Sequence, residues 1–314
     1  MLVEVDVLEF KKKCFNSISL DGQYLSITAL ANNLTPVYYI FYDNAEPMIG
    51  FALFKKGKNI VLPKQLVFFS GIWYKECLYG NDFKEYLFSA IAQLKNIYNN
   101  IKLVVSPLIE DLRPFLWNDF DVKLRYTFQK NTDDENYKSD IKKNYRKALS
   151  VKLNLEITNF QELNWADYIS FFKNISFGNT KIKKIKEWLE LLDKHCFLLC
   201  VNIADGVNQN QGSGIVLLDH TQKAGYFIFS YVPKTPLQSE INAFLYIEIQ
   251  KELLKKDIKV FDYLGANISS ISNYKSRFNP TLKPYYIVIY KKKYFNFQSV
   301  KNSLKYYLKR YLIR

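Results

Sequence analysis

Apolar residues fall along the chain in two rhythms: short runs that alternate or are unbroken, and longer stretches that recur every three to four positions. In the first half GQYLSITALANN has the helical rhythm. VYYIFYD and MIGFALFKK read as strands, and a third strand falls in the NIVLPKQLVFF region. FKEYLFSAIAQLKNIY follows, with Tyr86, Leu87, Ala90, Ile91 and Leu94 on one helical face and Asn81 or Asp82 placed to cap it. IKLVVS is a bare apolar run, the pattern of a central strand. A short helix around IEDLRPFLW and the strand VKLRYTFQK close the half.

The second half repeats this order. Helices are predicted at 160–175 and 181–194. The strands FLLCVNIA, GSGIVLLDH and GYFIFSYV follow, then a long helix from Pro236 to Lys256. KVFDYLG is a buried strand, and YYIVIYKK is a final one after an irregular crossover. Each half reads helix, three meander strands, helix, strand, crossover, strand. The repeat is one of pattern, with no evident residue identity. At roughly 150 residues per domain, 314 residues suggest two units. The pattern predicts a mixed α/β fold, α+β in its sheets, divided into 1–131 and 132–314.

The bridge is NTDDENYKSDIKKNYRKALSVKLNLEIT. Thr132 and Glu135 are spaced as a capping box, which predicts a linker helix over 132–150. Ile141, Tyr145, Ala148 and Leu149 form its apolar stripe, while Lys142, Lys143, Arg146 and Lys147 take the other faces. That pattern fits a solvated linker or a helix that faces an anion. The tail, 298–314, reads as a basic amphipathic helix. Val300, Leu304, Tyr307, Leu308 and Tyr311 lie on one side, with Lys301, Lys305, Lys309 and Arg310 between them. It can dock on the body or lie on an anionic membrane or RNA surface.

Composition narrows the classes. The net charge of +14 favours polyanionic partners such as nucleic acid, phosphorylated co-substrates or an anionic membrane face. Four cysteines and two histidines are too few and too scattered for a finger-like zinc site, so no metal is expected. Cys196 and Cys200, four apart in an apolar run, are predicted to share one strand face, and Cys14 and Cys77 are isolated. All four read as small core residues in a reducing compartment. The N-terminus lacks a signal-peptide pattern, and no stretch has the roughly 18 apolar residues of a spanning helix. The expected location is the cytoplasm, with the inner membrane face as a place of peripheral contact.

No Ser-His-Asp or Cys-His pattern appears, and His195 and His220 fall at strand ends as structural residues. Two stretches carry candidate chemistry. In VPKTPLQSE, Thr235 and Gln238 with Pro236 at the first helical position read as a second capping box opening the long helix. Lys234 stands just before it. The free N–H groups and positive end of that helix suit a phosphate or an acyl carrier, or the turn is simply a capped helix. In FDYLGANISSISNYKSRFNP, Asp262 ends a buried strand, Gly265 and Asn267 allow a sharp turn, and Tyr274, Lys275 and Arg277 return before the last strand. A lysine at a cleft edge can stabilise an oxyanion and an arginine can clamp one. Spacing alone also fits a solvated loop.

Three segments together resemble the FemABX family of aminoacyl and peptidyl transferases, built from tandem GNAT-like domains. KSDIKKNYRKALSVKLNLEIT resembles the family's basic inter-domain segment. GSGIVLLDHTQKAGYFIFSYVPK resembles its paired central strands. FDYLGANISSISNYKSRFNPTLKPYYIVIY resembles its closing signature, with Asn279 where glycine is usual. LPKQLVFFSGIWY is a weaker match in the first half. The resemblance implies two GNAT-like units with a cleft between them. It implies Lys275 near the reacting carbonyl, Asp262 and Gly265 as the strand-end pair, and Arg146 and Lys147 in the basic segment. It also implies a donor such as aminoacyl-tRNA and an amine acceptor such as a cell-wall precursor peptide, with no tightly bound cofactor. The glycine turn of acetyl-CoA users is missing from both halves, as is a coiled-coil arm. Two other readings stay open: an N-acyltransferase using acyl-CoA, and a non-catalytic module binding RNA or a membrane surface.

Overall fold

A computed structural model describes residues 1–63, 69–76, 78, 80–205 and 210–292. Cys77 and the predicted tail helix lie outside the described residues. In the first half, β1 (Leu2–Val5), α1 (Val7–Lys13) and α2 (Gly22–Asn32) precede β2 (Thr35–Asp43) and β3 (Glu46–Lys56). Asn44 and Ala45 turn that hairpin with both φ values positive, the two-residue turn that matches strand twist. Next come β4 (Asn59–Ile60), β5 (Gly71–Tyr74), α3 (Gly80–Ile97), β6 (Asn100–Val105), α4 (Arg113–Leu116) and β7 (Asp121–Asn131). Asn81 and Asp82 lie within the first turn of α3 rather than at its cap.

In the second half, α5 (Ser139–Ser150), β8 (Asn154–Thr158), α6 (Trp165–Asn174) and α7 (Asn179–Lys194) lead to β9 (Leu198–Ala204), β10 (Asn210–Asp219) and β11 (Ala224–Tyr231). Helix α8 (Gln238–Lys255), β12 (Val260–Asp262), α9 (Ser269–Lys275) and β13 (Thr281–Lys291) complete it. The predicted irregular crossover thus contains a helix. Its sequence, SSISNYK, has too few apolar positions to show a period.

The strands form one sheet in the order β1-β2-β3-β4-β6-β13-β7-β12-β11-β10-β9-β8, with β5 on β3. The last strand of the chain therefore lies in the middle. β13 runs antiparallel to β6 of the first half on one side and to β7 on the other. β7 in turn pairs with β12 of the second half through 129–131. Each half is completed by a strand of the other, so the chain folds as two interlocked units.

The two faces are covered differently. On one, α1 and α2 of the first half and α6 and α7 of the second share a single core with Tyr38, Ile40, Leu198, Ile215 and Leu217. The Trp188 indole N–H reaches Thr28 Oγ1 at 3.1 Å inside it. On the other face, α3 and α4 cover the first half and α5 and α8 the second, in separate cores. β9, β10 and β11 are buried on both faces, which is why their sequences are near-continuous apolar runs. At roughly 1.5–3 kcal/mol per fully buried large apolar side chain, these cores need no cross-link.

Two local expectations are corrected. Thr132 does not cap a helix. Its hydroxyl donates to Ile258 O at 2.6 Å, and Gln250 Nε2 donates to Thr132 O and Asp134 O at 3.1 and 2.8 Å. These bonds tie the turn at 132–134 to α8, and the helix starts only at Ser139. Cys196 and Cys200 do not share a strand face either. Cys196 sits in the turn after α7 with φ of 60°, exposed, and only Cys200 is a buried strand residue.

Candidate active site

In the second unit the parallel strands β11 and β12 are paired only at Ala224–Val260, Gly225–Phe261 and Tyr226–Asp262. Beyond that point β11 continues to Tyr231 while β12 stops, so the two strands part. Asp262 stands at the fork, fully buried. Its Oδ1 accepts the Leu264 N–H at 2.9 Å and the Thr127 hydroxyl, and its Oδ2 accepts Gln129 Nε2 at 3.0 Å. Burial raises its carboxyl above the usual range, and these hydrogen bonds and Lys275 oppose that rise.

The chain then turns at Leu264 and Gly265, both at positive φ, and α9 brings Lys275 back to the strand end. Lys275 Nζ donates to Tyr263 O and, at 3.2 Å, to Leu264 O. These are carbonyls that the strand ladder leaves behind. Of three ammonium donors, two are used in this way. Desolvation lowers its pKa to about 8, with Asp262 pulling the other way. An acid and a cation past a core strand thus build one polar fork. The acid fixes β7 to β12, and the cation caps the departing strand.

The α8 turn lies on the neighbouring side. Thr235 does not cap the helix: its hydroxyl is buried without a partner among the described residues. Helix α8 starts after Leu237 with no side-chain bond from the cap position, so Gln238 is its first residue and its N–H is held by Thr235 O at 3.1 Å. Lys234 is exposed beside it. Lys147 of α5 reaches this end of α8 through Glu240, with Nζ to Oε1 at 2.6 Å. That hydrogen bond lowers the Glu240 pKa. Arg146 projects from the same helix into solvent.

Two sequence-derived site residues are placed differently. The Tyr274 ring packs against Phe278 and Tyr246 at 5.5 and 6.2 Å between centroids, and its hydroxyl is buried without a partner among the described residues. It is half-buried against the core beneath α8, because α9 turns that face toward α8. Arg277 is exposed and pairs with Asp140 of α5 at 3.1 Å, joining the crossover to the linker helix.

A cavity that sequence reasoning missed lies where the two units meet. In the first unit β5 and β6 also part, after Ser70 exchanges hydrogen bonds with Val104. The gap is lined by Phe69, Ser70 and Ser106 and closed by Tyr24 of the first unit and by Asp219 and Tyr226 of the second. Tyr226 is the ladder partner of Asp262, so this cavity and the fork adjoin. Asp219 closes the apolar run GSGIVLLD just as Asp262 closes its own, and an acid at that position was the available signal.

In sequence, no family model matches the chain and no curated protein matches it. In structure, FemX superposes with a TM-score of 0.66 over 91% of this chain and 96% of its own, at 11% identity. The C-terminal domain of a putative lysylphosphatidylglycerol synthetase from Agrobacterium fabrum does so at 0.53 over 96% and 97%, at 9% identity. A tandem GNAT protein from the clavulanic acid biosynthesis pathway matches at 0.53 over 94% and 99%, at 8% identity. The fold is that of tandem GNAT proteins. In this tandem GNAT chain the fork at Asp262 belongs to the second unit and the cavity lies at its junction with the first. No cluster of metal-ligating side chains is present among the described residues.

Proposed function

We propose that the chain transfers an acyl or aminoacyl group to an amine, using two units, 1–131 and 132–314, that share β7 and β13. The observation that carries this is the fork of β11 and β12, with Lys275 seated at the strand end beside the Asp262 carboxylate. Whole-length likeness to FemX and to a tandem GNAT protein supports it. The reaction asks little of the protein. The amine nitrogen attacks the donor carbonyl, a C–N bond forms, and the ester or thioester C–O or C–S bond breaks. The amine proton passes to solvent or to the leaving group. Holding the two partners in attack geometry supplies much of the rate. A cation at the developing oxyanion supplies more, and Lys275 has one donor left for it.

Aminoacyl-tRNA is the donor this reading favours, with a cell-wall precursor peptide as acceptor and a cytoplasmic location. The surplus of cations on and near α5 supports a polyanionic donor. Acyl-CoA is the second reading, favoured by the positive end of α8, which has no side-chain N-cap and stands beside Lys234, where a pyrophosphate suits the helix dipole. Titration of the protein with charged tRNA and with CoA, read by thermal shift and by amide formation, separates the two. RNA binding with steep salt dependence and no turnover of any amine would replace both with a binding module.

A further inference from the structure

Strand β7 has an open edge in the middle of the sheet. Hydrogen bonds on both of its sides fix which groups face that edge. Thr132 N–H donates to Lys259 O at 2.9 Å and Tyr263 N–H to Phe128 O at 2.8 Å, so the even-numbered residues turn their N–H and C=O toward β12. The odd-numbered residues bond to β13, where Pro284, which has no N–H, stands opposite Tyr126 at no cost to the ladder. β12 ends at Asp262, opposite Gln129. Further along, a side chain takes its place. Asn267 Oδ1 accepts the Tyr126 N–H at 2.9 Å, and Asn267 Nδ2 donates to Tyr126 O at 2.8 Å. Beyond Asn267 the N–H and C=O groups of Leu124 and Val122 face the same side and have no partner among the described residues.

The two faces of this edge differ. Lys123 and Arg125 lie on one face, both exposed and neither paired with a carboxylate among the described residues. Leu124 and Tyr126 lie on the other, 48% and 37% exposed. Edges are commonly blunted by charge. Here the charge falls on one face only, and the opposite face is apolar and open. A strand that alternates acidic and apolar residues matches both, with acids opposite Lys123 and Arg125 and apolar residues opposite Val122 and Leu124. The net charge of +14 favours an acidic partner as well.

We propose that the edge of β7 from Val122 to Arg125 docks an extended acidic peptide segment of a partner protein, added as an antiparallel strand in the lane that β12 leaves. The direction follows from the sheet, since β12 and β13 both run antiparallel to β7. Main-chain bonds to Val122 and Leu124 supply affinity, and the Lys123 and Arg125 side chains supply selectivity. Asn267 closes the lane at Tyr126 and so sets the register. This docking goes beyond the transferase reading and does not depend on it.

The probe is the peptide Glu-Val-Glu-Val, acetylated and carrying a C-terminal fluorophore, titrated against the full chain and read by anisotropy. Saturable binding is expected, with Lys-Val-Lys-Val weaker by roughly tenfold or more. In the antiparallel register the valine N–H groups face β7. N-methylation of both valines should therefore abolish binding, and N-methylation of both glutamates should leave it. Leu124→Pro removes an outward N–H and no ladder bond, so it should weaken the peptide by roughly tenfold or more with melting little changed. Lys123→Glu combined with Arg125→Glu keeps every main-chain group and should reverse the preference between the two peptides, which tests the edge even where the proline variant fails to fold. Equal binding of the two methylated peptides, equal binding of the acidic and basic peptides, or no saturable binding at millimolar concentration overturns the proposal. A native dimer that Leu124→Pro makes monomeric also overturns it, because a second copy of the chain would then hold the edge.

Discussion

Lys275 carries the sharpest prediction at the scale of a residue. Its folded pKa, about 8, lies below the ordinary 10.5 because it is desolvated. Between those values the unfolded chain binds the extra proton, so this group makes stability rise with pH across that window. Activity moves the other way. Transfer that uses the cation should fall as pH rises through about 8, and Lys275→Arg, which keeps its proton, should remove that falling limb from the pH–rate profile. Gly265→Ala tests the turn that returns the chain to it. With φ of +67° the substitution costs on the order of 1–2 kcal/mol, and its Cβ would stand 3.1 Å from Lys275 Nζ. A lowered melting temperature together with slower transfer is expected. Tyr274→Phe should do the reverse. Removing a buried, unpaired hydroxyl should stabilise by about 1 kcal/mol with KM unchanged, whereas a rise in KM would restore Tyr274 to the substrate side. Asp262 and Lys275 were legible in the sequence because an acid and a cation flank a turn after an apolar run. The orientation of Tyr274 was not, since it depends on α8 packing beneath it.

Among the elements, the long helices and central strands follow their apolar periods closely, and what sequence missed were the short elements β1, α1 and α9 and the helix starts. The two capping boxes fail in different ways: a tertiary partner takes Thr132 first, whereas the buried Thr235 hydroxyl has no partner among the described residues. Thr132 is bonded to Ile258 O and the surrounding carbonyls to Gln250, so no helix starts there. Thr132→Val should therefore cost about 1–2 kcal/mol through the lost buried hydrogen bond. Glu135→Ala should be close to neutral, although a capping box would make both changes costly. Melting curves of the two variants decide between these roles. Helix α9 escaped notice because seven residues with few apolar positions carry no readable period. The α5–α8 contact was hidden for a related reason. Lys147 looked like a free anion binder, and only the fold brings Glu240 beneath it.

At the scale of the whole molecule, the exchange of β7 and β13 makes the halves interdependent. The repeat of pattern was visible in the sequence. The exchange was not, because strand order in a sheet is set by contacts far apart along the chain. A fragment of 1–131 lacks β13 and leaves β6 and β7 unpaired with each other, so it should not fold alone, and circular dichroism should show no cooperative melt. Truncation before Thr281 should abolish the melt of both halves together, while a surviving transition would mean that one unit stands by itself. The interlock places the cavity at the junction of the units beside the fork of the second, where the proposed transfer occurs. Single-turnover transfer from charged tRNA or acyl-CoA to an amine, compared between the native chain and Lys275→Ala, tests this most directly. The account predicts amide formation by the native chain and its near-complete loss in the variant at unchanged secondary structure. Equal turnover by the two proteins would contradict it.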